Sequence, residues 1–124
     1  MKSRNVMYFT PREEEMADLL VQIGLKKNVA KVLIYLAHTH EATSRDIERG
    51  TDLRQPEVSI AMASLIDQKW VENRETKAEN KGRPVKIYRL SRPIHEIMDS
   101  IEQQKKEEAE NQLMLIRQVR EYIS

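Results

Sequence analysis

Read for apolar spacing, the chain is a series of short helical stripes followed by two β-like runs, and its most organised stretch lies between residues 43 and 71. Ser44 to Arg49 offers Ile47 as its one buried position and runs into Gly50, where glycine tolerates the left-handed conformation that ends a helix. A second segment opens near Pro56, at a position where a missing N–H costs nothing. Its apolar residues Val58, Ala61, Met62, Leu65 and Ile66 fall at i, i+3, i+4, i+7 and i+8, one face of a helix reaching about Lys69. Leu53 supplies an apolar plug in the turn between the two. The other face, with Gln55, Glu57, Ser59, Ile60 and Ser64, is small and mostly polar, shaped to approach something closely. Two short helices joined by a tight turn, the second polar on its outer face, predict a helix-turn-helix.

The flanking pattern extends this unit on both sides. Residues 1–9 show no periodicity. Thr10, Pro11 and Glu13 predict a helix start with a capping box, and the run Glu13-Glu14-Glu15 suits the positive end of the helix dipole better than it suits a metal. Met16, Leu19, Leu20 and Ile23 make the expected buried stripe, ended by Gly24. A core helix is predicted from Lys27 to Ala37, with Val29, Val32, Leu33, Leu36 and Ala37 in register and Ile34 and Tyr35 widening the apolar arc. Trp70 is read as core packing at the start of the next element. Residues 71–75 and 84–90 read as strands, the second rich in β-branched and aromatic side chains. The polar stretch 76–83 between them carries Asn80 and Gly82 to turn, and Pro84 opens a strand, where proline is tolerated. From Pro93 to about Ile123 nothing breaks a helix, which at ~1.5 Å per residue would extend roughly 45 Å.

Charge changes the picture more than composition does. The total is +1, but residues 74–92 hold seven Lys/Arg against two Asp/Glu, while residues 93–124 hold four against seven. A basic cluster confined to a hairpin is the form a localised phosphate contact takes, although a lone basic run also suits a solvated hairpin. There is no cysteine, so disulfides, thiol switches and thiolate metal sites are excluded and a cytoplasmic protein is the default. The first 15 residues lack a long apolar run, so no signal peptide is expected, and no stretch approaches the ~18 apolar residues of a membrane span. His38 and His40 have no third ligand within reach in the sequence, so no metal or other cofactor is expected. Without a glycine-rich phosphate loop or a nucleophile-and-base signature, no enzyme is expected either.

Helix, helix-turn-helix and hairpin in this order resemble a winged helix-turn-helix, and three stretches resemble the MarR-like and TrmB-like regulators common in archaea. These are residues 24–32, GLKKNVAKV; the pair EATSRDI at 41–47 and LRQPEVS at 53–59; and Lys81-Gly82-Arg83-Pro84 with Tyr88 and Leu90. The resemblance covers about residues 24–92. It implies a mainly α fold with a small β-hairpin (α+β), and a transcriptional regulator that binds double-stranded DNA. TrmB-type sugar regulators carry a large effector domain after the wing, and too few residues follow Arg92 for one to be expected here. MarR-like proteins often bind small ligands between their dimer helices and DNA-binding lobe, so a small-molecule effector has a place in this reading, but no residue identifies one.

The expected organisation is a winged helix-turn-helix over residues 1–92 and a C-terminal dimerisation helix over 93–124. Arg54, Gln55, Pro56, Glu57, Ser59 and Ile60 form the end and face of the recognition helix, with Arg suited to guanine, Gln to adenine, Glu to cytosine and Ile60 to a thymine methyl. Ser44 and Arg45 are placed on phosphate. Arg83, between Gly82 and Pro84 at the wing tip, is expected in the minor groove, with Lys77, Lys81 and Lys86 on phosphate. Ile94, Ile97, Met98 and Ile101 form one apolar cluster of the last helix; Leu113, Leu115, Ile116, Val119, Tyr122 and Ile123 form another. The distal cluster together with Ile101 is expected to hold a homodimer reading an inverted repeat. The competing reading is a winged-helix module for protein–protein contact in a transcription-related assembly, favoured by the near-neutral total charge and by Asp52, Glu57 and Asp67 near the recognition segment.

Overall fold

The structure, a computed structural model, describes residues 9–76 and 84–124. The elements run α1 (Pro11–Ile23), α2 (Lys27–His38), β1 (Ala42–Thr43), α3 (Ser44–Thr51), α4 (Gln55–Asp67), β2 (Val71–Thr76), β3 (Val85–Leu90) and α5 (Ile94–Ile123). The chain divides into two compact units, one ending at Arg92 and one comprising Pro93–Ser124. The predicted turn residues Lys77, Lys81, Gly82 and Arg83 lie outside the described residues, as do residues 1–8.

In the first unit α2 is the central helix, packed against α1, α3 and α4. Val32, Leu33 and Leu36 of α2, Ile47 of α3 and Val58 and Leu65 of α4 are among its fully buried side chains. Removing the side chain of Leu33 beyond Cβ would cost about 2–5 kcal/mol, because a close-packed site relaxes only partly around the void. The core is aliphatic, with Tyr35 and Trp70 as its buried aromatic members.

Helix starts follow the local chemistry of the sequence. Thr10 Oγ1 accepts the Glu13 N–H and Glu13 Oε1 accepts the Thr10 N–H at 2.9 Å, so two otherwise unbonded donors are satisfied reciprocally. Thr43 and Asp46 do the same for α3. Helix ends are more varied. Gly24 (φ 132°) closes α1 with its N–H on Val21 O while the Leu25 N–H reaches Leu20 O. The same pattern closes α4, where Lys69 N–H bonds to Ile66 O and Trp70 N–H to Leu65 O, with Lys69 at φ 67°.

Several expectations are corrected. Gly50 does not end α3: it is buried within it, and the left-handed residue is Asp52 (φ 60°). The Gly50 carbonyl accepts the Phe9 N–H at 3.3 Å, which ties the segment leading to α1 to α3. In α1 the buried set is Glu13, Ala17 and Leu20, while Leu19 and Ile23 are exposed and Met16 is half-buried. Ile66 of α4 is also exposed.

The sheet has three strands rather than two, in the order β1-β3-β2, both pairs antiparallel. Val71 pairs with Leu90 and Thr76 with Val85, while the short β1 adds Ala42 opposite Tyr88 and Thr43 opposite Ile87. The second unit is one continuous helix of 30 residues, capped by Pro93. Its Ile97 and Ile101 are buried, and every residue from Glu110 to Ser124 is exposed. Among the described residues no helix is long and apolar enough to cross a membrane.

Candidate nucleic-acid interface

The second helix of the pair, α4, buries Val58, Ala61, Met62 and Leu65 and turns Gln55, Pro56, Glu57, Ser59 and Ile60 outward. Ile60 is 73% exposed, which leaves its aliphatic side chain on the outward face while its neighbour Ala61 is buried. At the helix start Glu57 Oε1 accepts the Arg54 N–H at 2.8 Å, which anchors one carboxylate oxygen in the cap. Gln55 Nε2 donates to Ser59 Oγ at 3.1 Å, one turn on, so the two polar side chains form a linked pair. Arg54 and Ile60 form no hydrogen bond or ion pair through their side chains with a described residue.

At the start of α3, Thr43, Ser44 and Arg45 line a recess of about 480 Å³ with Val85, Lys86 and Tyr88 of β3. The strand register explains the meeting. Thr43 lies opposite Ile87, so the residues on either side, Ser44 and Lys86, are brought together although they are far apart in the chain. Arg45 and Lys86 are exposed and pair with no carboxylate among the described residues. A recess with an arginine, a lysine and a hydroxyl beside a helix start is chemically suited to an anion such as a phosphate.

The arginines of the strands are disposed differently. Arg74 Nη2 donates to both carboxylate oxygens of Glu41, at 3.0 and 2.9 Å, and Arg89 Nε donates to Glu72 at 2.8 Å. The Arg74 hydrogen bond is the main reason the Glu41 carboxyl titrates below its ordinary range. The excess of positive charge counted over residues 74–92 is therefore partly neutralised within the fold, while Lys86 of β3 pairs with no carboxylate among the described residues. Glu41 and Tyr88 were absent from the expected contact residues. Only tertiary pairing places them: β1 lies against β3 at Tyr88, and Glu41 is held by Arg74.

His38 makes its contacts within the first unit. Its Nδ1–H donates to Ile34 O at 3.0 Å and lies 3.7 Å from Glu13 Oε2, so α1 and α2 are joined there. Trp70 is buried and its carbonyl accepts the Ser91 N–H at 2.8 Å, which ties the two ends of the hairpin strands. Ile101 is likewise buried in the single chain. Leu113, Leu115, Ile116, Val119, Tyr122 and Ile123 are all exposed.

Helix, helix-turn-helix and antiparallel hairpin, with a strand before α3 completing the sheet, define a winged helix-turn-helix protein. The family model of the sugar-specific transcriptional regulator TrmB matches residues 19–94, more than half of the chain. The chain belongs to the TrmB family, whose members are transcriptional regulators and not enzymes. Among solved structures, a possible transcriptional regulator from Methanosarcina mazei Go1 superposes with a TM-score of 0.59 at 15% identity, over 77% of this chain and 82% of that one. A mutant of MarR from E. coli, solved with operator DNA, superposes with a TM-score of 0.51 at 16% identity, over 74% and 64%. At these identities the likeness is one of fold. No curated protein sequence matches the chain.

Proposed function

We propose that this protein regulates transcription by binding double-stranded DNA as a homodimer, each protomer reading one half of an inverted repeat. α4 enters the major groove N-terminus first, so that Arg54, Gln55, Glu57 and Ser59 reach base edges and Ile60 meets a thymine methyl. Ser44, Arg45 and Lys86 hold a backbone phosphate and set the register. The wing tip reaches the adjacent minor groove through Arg83, with Lys77 and Lys81 on phosphate. The observation that carries this reading is the recess at the start of α3, where Arg45 and Lys86, two cations from distant parts of the chain with no carboxylate partner among the described residues, converge beside a helix start. Membership of a family of transcriptional regulators supports it, and so does the operator-bound state of the MarR mutant with the same fold.

The homodimer rests on the exposed cluster Leu113, Leu115, Ile116, Val119, Tyr122 and Ile123, because so large an aliphatic surface on one helix generally marks an interface. With two half-sites about one helical turn apart, ~34 Å, a two-fold protein matches a two-fold operator.

Fluorescence anisotropy with duplex DNA from upstream of the protein's own gene, beside a scrambled duplex, tests the reading. Binding should survive ~150 mM salt and exceed the scrambled control by ~10³-fold or more. Arg45→Ala should weaken binding to both duplexes by a similar factor, since phosphate carries no sequence. Equal binding to the two duplexes that vanishes with salt would instead favour a winged helix that docks another protein.

A further inference from the structure

A second recess, of about 220 Å³, is lined by Lys26, Lys27, Asn28 and Val29 at the start of α2 and by Glu57, Ile60 and Ala61 of α4. It has no residue in common with the recess at the start of α3. Two of its α4 residues, Glu57 and Ile60, belong to the outward face of that helix, so the lysines border the surface assigned to base contact. Both lysines are exposed, and neither side chain has a hydrogen bond or ion pair with a described residue. Lys31, one turn further on, is occupied: its Nζ donates to Thr51 O at 3.3 Å.

We propose that Lys26 and Lys27 form a second phosphate-binding surface, gripping the sugar–phosphate backbone that borders the groove occupied by α4. The proposal rests on the DNA-binding reading above and deepens it. The major groove is about 12 Å wide and a helix with its side chains about 10–12 Å across, so a helix seated there has backbone along its flanks. Cations beside the outward face of α4 therefore meet phosphate rather than bases. Lysine fits this task, being a compact charge without the planar fork that reads guanine. The pair also answers an electrostatic difficulty. Glu57 brings a carboxylate to a polyanion, and two ammonium groups in the same recess offset that repulsion.

The test is the salt dependence of binding by a Lys26→Gln/Lys27→Gln variant. The probes are a duplex enriched from a random-sequence pool by the wild-type protein and its scrambled counterpart. Gln matches Lys closely in helix propensity and both sites are exposed, so the fold should be retained, which circular dichroism checks. A Lys105→Gln/Lys106→Gln variant serves as control; it removes the same charge from α5, where these lysines pair with Glu108 and Glu102. Each lost phosphate contact lowers the slope of log K against log salt by about 0.9, so the α2 variant should lose roughly 1.8 while the control keeps the wild-type slope. The affinity loss should be alike on both duplexes. A slope that is unchanged, or that falls equally in the control, overturns the lysine contact and leaves DNA binding intact. If the wild-type protein enriches no duplex at all, the DNA-binding reading fails and this contact fails with it.

Discussion

Glu41 sits just before β1 and accepts two hydrogen bonds from a single nitrogen of Arg74 on β2, joining residues 33 positions apart. Because the folded state lowers the Glu41 pKa, the stabilisation is present above the unfolded-state pKa and is lost as pH falls through the folded value. Arg74→Ala should therefore return the Glu41 carboxyl towards its ordinary range, followed by its carbon-13 chemical shift during an acid titration. The stability difference between wild type and variant should also shrink in acid. A Glu41 titration unmoved by the substitution would show that Arg74 is not the cause. At this same scale Gly24 and Lys69 teach opposite lessons. Both residues take positive φ and close a helix with the same two hydrogen bonds, yet only the glycine is visible in the sequence as a stop. Lys69 adopts the left-handed conformation because Trp70, next in the chain, is drawn into the core. Composition at position 69 carries no trace of that.

Among the elements, α3 shows how little chain is needed to position a site. It has eight residues and depends on its cap, where Thr43 Oγ1 accepts the Asp46 N–H at 3.2 Å. Thr43→Ala should cost about 1 kcal/mol, read as a lower urea midpoint with an unchanged m-value. No change in midpoint would mean that the cap is replaced by water at no loss. Thr43 also occupies the last position of β1, opposite Ile87, so the residue that starts the helix also fixes its approach to β3. The strand itself was invisible in the sequence, since two residues carry no period. The capping box of α1 was legible in advance for the opposite reason: reciprocal hydrogen bonds three residues apart are a local property. The apolar stripe of α1 was misjudged because its apolar residues occupy more than one face. Which face is covered depends on α2, against which Ala17 and Leu20 are buried while Leu19 remains outside.

For the molecule as a whole, the unresolved balance lies in the apolar surface of α5. Residues 110–123 are helical and each is exposed in the single chain, with Tyr122 92% exposed. Ile116→Glu/Val119→Glu places two carboxylates in the proposed interface. Sedimentation velocity should show the wild-type protein as a dimer and this variant as a monomer of unchanged helix content. A variant that still sediments as a dimer would move the interface elsewhere. The spacing, caps and turn residues of this sequence were enough by themselves to determine five helices, a hairpin and their order, because each signal acts over a few residues. Ser44, Arg45 and Lys86 could be picked out one at a time, as cations and a hydroxyl near turns. That they line one recess, that Arg74 and Arg89 are neutralised by Glu41 and Glu72, and that Lys26 and Lys27 flank α4 were decided only by tertiary structure. Those relations depend on strand register and on helix packing between residues distant in the chain, and no local period encodes them.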